Sequence, residues 1–532
     1  MRSLNRLGLI LMSGVAATAL SACDGASSVA SPGEGTIVIP APAPAPTPTP
    51  ASTPTPTAGP AASCPTGTND VGTIGNFRSC RLPSLITGAL TLPKVTGVAY
   101  EMNGRVDVGI DVGGAGTAST QTGVLTIAPG VVVYANTTNT DNDFLIVNRG
   151  SRIAAEGTET QPIIFTAQQN IAGTATDESQ GLWGGVILSG RAPISNCNAA
   201  VAGGAVNCEN VVEGTGNALY GGNVPTDTSG VFRYVQIRYS GTIISPNNEL
   251  QGLTMGGVGS GTTVDHVQVH NSSDDGIEVF GGRVNMRYLA FTGADDDGLD
   301  TDVGWQGLVQ FVINAQKPGN TQTDNYSTEI DSNGNEDALP RQNYRLANFT
   351  FISTTANTNA AIRLRGGADA TFVNGIVQSA TACVNIVAGE TSATDKSTIR
   401  AASTALQDNG PPVFNSIYFA CGTPGLTAET AVSGITVTNA EQAAIINRGT
   451  NNVTNGTAAN ALTGGVLPGA GAAAVTAFNA STLNPSGSSF LIQTSFVGAV
   501  SGANDTNFRG WTCNSNRLTF GTTSGACTAV PA

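Results

Sequence analysis

Apolar positions recur along the middle of the chain at a fixed interval. Val264, Met286 and Leu308 are 22 residues apart, and so are Val267, Leu289 and Phe311, and Val269, Phe291 and Ile313. Within each repeat the apolar residues stand at i, i+3 and i+5, which fits a short strand and its flank better than a helix. A period near 20–25 residues with strand-like alternation predicts a solenoid. The simplest solenoid with these properties is a parallel β-helix with one coil per repeat.

The same alternation extends both ways. Val124–Asn136 alternates, turns at Pro129-Gly130 and alternates again. Phe144–Ala167 reads as two further strands, and Gly181–Gly190 as another. Val231–Gly241 resembles Val264–Ser272, but the interval between them is longer, so Ile243–Leu250 is expected to protrude as a loop. After Ile313 the period loosens, although Tyr344–Ser353, Ala360–Gly367 and Ala370–Ala380 still read as coils. The expected organisation is an N-terminal cap region over 63–123, a β-helix over 124–495 and a C-terminal cap over 496–532.

The N-terminus breaks the pattern. Arg2 and Arg6 precede the apolar run Leu7–Leu20, which is too short for a secure membrane span and reads as an export signal. It runs into Leu20-Ser21-Ala22-Cys23, which resembles a bacterial lipobox. Residues 1–22 are therefore expected to be a lipoprotein signal peptide, with Cys23 the lipidated first residue of the mature chain. Lipid chains anchor by burying methylene groups, about 0.8 kcal/mol each. The linker 23–62 contains Pro40–Pro60, rich in Pro, Ala and Thr. Such a segment cannot pack a core and favours extended polyproline II. Asp24 resembles an inner-membrane retention signal of enteric bacteria; the outer membrane is nevertheless the expected destination.

Eight cysteines remain after Cys23, and they fall as sequence neighbours: Cys64/Cys80, Cys197/Cys208, Cys383/Cys421 and Cys513/Cys527. An even number in an exported chain points to disulfides. Nearest-neighbour pairing is the expectation among the many connectivities that eight thiols allow. None forms a Cys-x-x-Cys pair, which argues against zinc or dithiol redox chemistry.

Composition and charge narrow the function. The chain has 532 residues, 67 of them Gly, with charged residues at only 11%. That is a strand-and-turn composition. Lys and Arg number 23 against 37 Asp and Glu, a net charge of −14. Nucleic acid is an unsuitable partner for such a surface.

The charge is concentrated where the repeat turns. SSDDGIEVFGG (Ser272–Gly282) and ADDDGLDTDVG (Ala294–Gly304) follow successive strands. The 22-residue offset puts Asp274 on Asp296, Asp275 on Asp297 and Glu278 on Asp300. Tyr326–Gly334 is expected to extend the ladder, with Ile330 in the place of Ile277 and Leu299, and Asp331 following Glu278 and Asp300. Adjacent parallel strands lie about 4.7–4.9 Å apart, so stacked carboxylates must be solvated, protonated or neutralised. Three readings stand: corner-forming residues that bond backbone, ligands for a hard cation such as Ca2+, or a catalytic pair. The metal set is Asp274, Asp275, Glu278, Asp296, Asp297 and Asp300, and the catalytic candidates are Asp274, Asp275, Asp296, Asp297 and Arg363.

The N-x-x-DDG-I-x-V-x-GG corner after V-x-V resembles the right-handed parallel β-helix of the pectin-lyase-like superfamily. PIIFTA, GLWGGVILSG, the acidic corner and the final FVGAV…GWT resemble lipid-anchored or secreted β-helix proteins of Gram-negative bacteria, often associated with outer-membrane uptake systems. The resemblance implies an all-β solenoid with loop insertions and, for function, a binding or accessory role toward a glycan or an uptake receptor. Asp274-Asp275 also resembles the acidic pair of polygalacturonase-like enzymes. The family's Gly-His-Gly is absent, and its Arg-Ile-Lys signature is matched only loosely by Ile362-Arg363-Leu364-Arg365. A Ca-dependent lyase would need Arg363 as its base, but a salt bridge closing the acidic row is the better expectation for that residue. His266 and His270, four apart on one strand, are expected to point the same way as an outward polar stripe. Tyr234, Tyr239, Tyr288, Trp183 and Trp305 are weighed as sugar platforms or, more often, as packing residues. A binding protein is favoured over a polysaccharide-degrading enzyme and over a structural or adhesive envelope protein.

Overall fold

A computed structural model describes residues 59–139, 142–245, 248–317, 325–332, 334–353, 360–389 and 395–532. The expected signal peptide, Cys23 and the Pro-rich linker through Ala58 lie outside the described residues. Two long sheets run side by side, one of 15 strands and one of 11. In both, each coil contributes the next strand in parallel, as in Gly230–Arg238 beside Thr263–His270 beside Asn285–Thr292 in the first sheet, and Leu253–Gly256 beside Ile277–Phe280 beside Leu299–Asp302 in the second. This is a parallel β-helix. Its interior is one continuous apolar column, running from Cys80 and Val98 through Val267, Leu289 and Val312 to Phe414 and Ile445.

Parallel strands appear already at Phe77–Arg81 and Val98–Met102, inside the stretch read as an N-terminal cap region. The second sheet ends at Leu426–Thr427. Beyond it the helix Asn439–Arg448, held at its start by a capping box between Thr438 and Glu441, packs Ile445 and Ile446 onto the final coil.

The first 22-residue step is reproduced in the register, with Val264 on Met286, Val267 on Leu289 and Val269 on Phe291. The second step is 23. Met286 stands on Val309, Leu289 on Val312 and Phe291 on Asn314, so Leu308, Phe311 and Ile313 are not the interior positions. One extra residue enters the corner Val303–Gly307, which turns the buried Trp305 into the core. A one-residue slip moves every side chain to the other face of a strand. Leu308 and Ile313 accordingly face outward into two clusters on the flank.

The segment from Phe478 to the C-terminus covers that flank. It runs back along the outside of the coils, toward the N-terminal end of the solenoid. Outward Asn and Gln side chains hold its backbone at both groups: Asn374 to Phe478, Gln310 to Ile492 and Gln268 to Cys513, each accepting from the N–H and donating to the C=O. Buried Arg238 donates to Cys527 O and Ala529 O at 2.6 and 2.7 Å, and Val530 and Ala532 reach the apolar cluster of Phe77 and Val132 on the first coils. The terminal region 496–532 thus covers apolar surface along the side of the solenoid, while the helix Asn439–Arg448 covers the end of its last coil.

All four disulfides join sequence neighbours: Cys64–Cys80, Cys197–Cys208, Cys383–Cys421 and Cys513–Cys527. Cys197–Cys208 staples an insert before Gly230, and Thr242–Ser245 pairs with Asn248–Leu250 as a protruding hairpin. Both insertions lean over the second sheet beside the acidic corners.

Candidate metal centre

The acidic corners form because two Gly positions let successive coils close on one another. A Cβ on Gly276 would lie 2.5 Å from Phe291 Cδ1 and 2.6 Å from Gly298 O; one on Gly298 would lie 2.4 Å from Asn314 Nδ2. The aspartates beside them stitch the coils. Asp275 Oδ1 accepts from the Asp297 N–H at 2.8 Å, and Asp297 Oδ1 accepts from the Tyr326 N–H. These residues do form corners, but each bonds the backbone of the next coil rather than its own.

The register sets the carboxylate row. Glu278 stands on Asp300, and Asp300 on Glu329. Glu329, not Asp331, continues the row. Thr328 occupies the interior position of Ile277 and Leu299, and Ile330 stands one place further, on Thr301. The Thr328 hydroxyl is satisfied inside by Leu299 O at 2.7 Å, so a polar residue fills a core position. The apolar pattern therefore shifted the alignment by two residues. Arg363 follows Glu329 in register, is paired with Glu429 at 2.8 Å and Glu329 at 3.7 Å, and lies over the Tyr326 ring. Asn385 and Thr427 carry the row onward.

Six expected metal ligands, Asp274, Asp275, Glu278, Asp296, Asp297 and Asp300, line one cleft of about 470 Å³. Four further carboxylates line it: Asp302 and Glu329 from the coils, and Glu213 and Glu249 from the stapled insert and the hairpin. Arg365 is the one cation on its wall among the described residues, and it also bonds Glu329 and Asp331. Arg363 is not on that wall. Asp295 turns away, within 2.7 Å of Gln180 Nε2 and 3.6 Å of Lys317 Nζ.

The electrostatics follow from burial and like charge. Burial pushes Asp274 up to about 8, reinforced by Glu249 and Glu213. Burial, then neighbouring carboxylates, also holds Asp275, Glu278, Asp297, Asp300 and Asp302 well above the carboxylate range. Glu213 is raised by burial too, and hydrogen-bonds Glu278 and Gln251. Ligand oxygens of Asp274, Asp275 and Asp296 lie within 4.8 Å of one another, as do those of Asp275, Glu278 and Asp300. An all-oxygen set of this kind suits a hard cation, Ca2+ above zinc or copper.

The other sequence candidates lie elsewhere. His270 is fully buried, and burial beside Arg238 lowers it to about 3. His266 sits in a left-handed corner that breaks the alternation, stacked between Tyr234 and Tyr288 at 4.3 Å from each. The two imidazoles therefore do not form one outward stripe. Trp183, Trp305 and Tyr239 are buried, and Tyr234 and Tyr288 are covered by Trp511 and Phe508 of the C-terminal segment, so these rings pack rather than offer a sugar platform.

Glu213, Glu249 and Glu329 escaped the sequence reading, which named Arg365 only within a loosely matched signature. Glu213 and Glu249 sit on insertions outside the period, where only their charge marked them. The family model of the pectate-lyase-like β-helix domain matches residues 114–465, two-thirds of the chain. The chain belongs to this family. No curated protein and no solved structure matches it. In this pectate-lyase-like β-helix the acidic cleft lies on the second sheet, under the two insertions.

Proposed function

We propose that this pectate-lyase-like β-helix is a cell-envelope binding protein, lipid-anchored at Cys23, whose acidic cleft takes up Ca2+ and through it an oxygen-rich ligand. A glycan or the exposed loops of an outer-membrane uptake receptor have that chemistry. The observation that carries this reading is the gathering of ten carboxylates around one cleft with, among the described residues, a single arginine on its wall. Like-charged groups at coil spacing, with their ionisation suppressed by burial, have most to gain from a divalent cation. Acid–base hydrolysis asks for the opposite: two carboxyls whose surroundings separate their roles.

One feature favours a second reading, a Ca-dependent lyase: Arg365 shares the cleft with the carboxylates. Its bonds to Glu329 and Asp331 oppose use as a base. The test is glycan-array binding by the mature protein with and without Ca2+, beside turnover of pectic and alginate-like polymers. Ca-dependent binding without turnover supports the binding protein, turnover supports the lyase, and neither sinks both. Mass spectrometry of the mature N-terminus tests the anchor: an unmodified start beyond Cys23 removes it.

A further inference from the structure

We infer that the cleft holds two hard divalent cations rather than one, on two carboxylate sets that share Asp275. This rests on the Ca2+ reading above and adds stoichiometry, ligand assignment and a role for the insertions. The first set is Asp274, Asp275 and Asp296; the second is Asp275, Glu278 and Asp300. They occupy successive places along the same two coils, and Asp275 is the one residue common to both. Asp275 is also fixed in place, because its Oδ1 accepts the Asp297 N–H of the next coil.

Two further atoms point into the cleft without hydrogen-bond partners. Glu278 Oε2 and Asp302 Oδ1 belong to side chains only 7% exposed, and both side chains line the cleft. A buried oxygen without a donor carries a desolvation cost that a cation would remove. Charge then decides the number. The two sets contain five carboxylates. Fully ionised, they leave three charges uncompensated with one divalent cation, but a single charge with two. Asp297 and Asp302 add two more carboxyls to a wall on which Arg365 is the one cation among the described residues, so the balance favours the second ion further. Repulsion between two close cations is offset by the shared carboxylate between them.

The insertions complete the arrangement. Glu213 hydrogen-bonds Glu278 of the second set, and Gln251, at the foot of the hairpin, bonds both Asp274 of the first set and Glu213. Each set thus touches a segment outside the coils. Filling both sets pins the stapled insert and the hairpin to the solenoid.

The experiment uses the mature full chain, stripped of metal and titrated with CaCl2 alone. Native mass spectrometry and calorimetry read the stoichiometry, and circular dichroism confirms the fold of each variant. The expected counts are two ions for wild type, one for Asp274→Asn, one for Asp300→Asn and none for Asp275→Asn. One ion in wild type overturns the two-ion inference and leaves the Ca2+ reading standing. No ion in wild type overturns both. Two ions retained by Asp274→Asn or Asp300→Asn refute the ligand sets, and one or more retained by Asp275→Asn refutes the sharing. Hydrogen exchange supplies a readout independent of stoichiometry. Loading should slow exchange at Glu209–Thr215 and Thr242–Ser245, and unchanged exchange there would overturn the role given to the insertions.

Discussion

Asp300 stands directly on Glu278, one coil further along the second sheet. Both carboxyls are held well above their usual range, by burial first and by neighbouring carboxylates after it. Groups raised in the folded state contribute stability that is full below the unfolded carboxylate range and is lost as pH rises through the folded value. Asp274, at about 8, places part of that loss near neutral pH. Metal-free protein should therefore melt progressively lower as pH rises from about 4 to about 8. Calcium should reverse the loss at neutral pH, by about 2.7 kcal/mol for each occupied site at a free concentration 100 times its dissociation constant. A melting temperature indifferent to both pH and Ca2+ across this range would contradict the electrostatics described for the cleft.

The double substitution Asp275→Asn, Asp297→Asn separates corner formation from cation binding. An Asn side-chain oxygen can still accept the N–H groups of Asp297 and Tyr326 that the aspartates accept. The coils should stay closed, and the metal-free variant should be at least as stable as wild type at pH 8, because two repelling carboxyls are gone. Its stabilisation by Ca2+ should fall to near zero. Thermal melts with and without the ion measure both quantities, and a preserved response would remove Asp275 from the ligand sets.

Arg363 ends the carboxylate row by pairing with Glu329 and Glu429. Arg363→Met keeps much of the apolar stem and removes one of the two guanidinium groups on buried Glu329, Arg365 remaining. The full cost of breaking a buried pair, about 3–5 kcal/mol, is therefore an upper bound. Denaturant unfolding should show a clear loss below that bound if the residue is a structural closure. A small stability change with abolished turnover on a uronate polymer would instead make it a catalytic base.

The disulfides differ in the chain they enclose. Cys383–Cys421 spans 38 residues, and Cys197–Cys208 spans 11. Loop-closure entropy gives about 3.9 kcal/mol for the longer loop and about 2.8 for the shorter at 25 °C. Replacing both cysteines of each pair with Ala should therefore lower stability more for Cys383–Cys421. Chemical denaturation of the two variants checks the order, and four bridges should appear in non-reducing peptide maps.

The fold was legible because interior positions repeat as branched and aromatic residues, and because the DDG corners repeat with them. The register was legible only while the corners kept one length. It slipped at Val303–Gly307, where an added residue brings Trp305 inside, and again at Thr328, where a threonine with an internal acceptor fills an apolar place. Six cleft carboxylates were found because they ride on the repeat. Glu213 and Glu249 were not, because insertions carry no period and their position over the second sheet is a tertiary fact. The paired cysteines were readable for a local reason: each bridge closes between neighbours in the sequence.

The backward run of residues 478–532 changes what kind of polymer the solenoid is. Coils that touch only their neighbours unfold as a chain of nearly independent links, fraying from either end. Here Phe478 is clasped by Asn374, Cys513 by Gln268, and Ala532 packs near Phe77. Residues 478–532 thereby fasten the first coils to later ones, converting an open row of links into a closed circuit. Loss of any one coil must break the fastening, so the molecule should melt as a single unit despite its modular build.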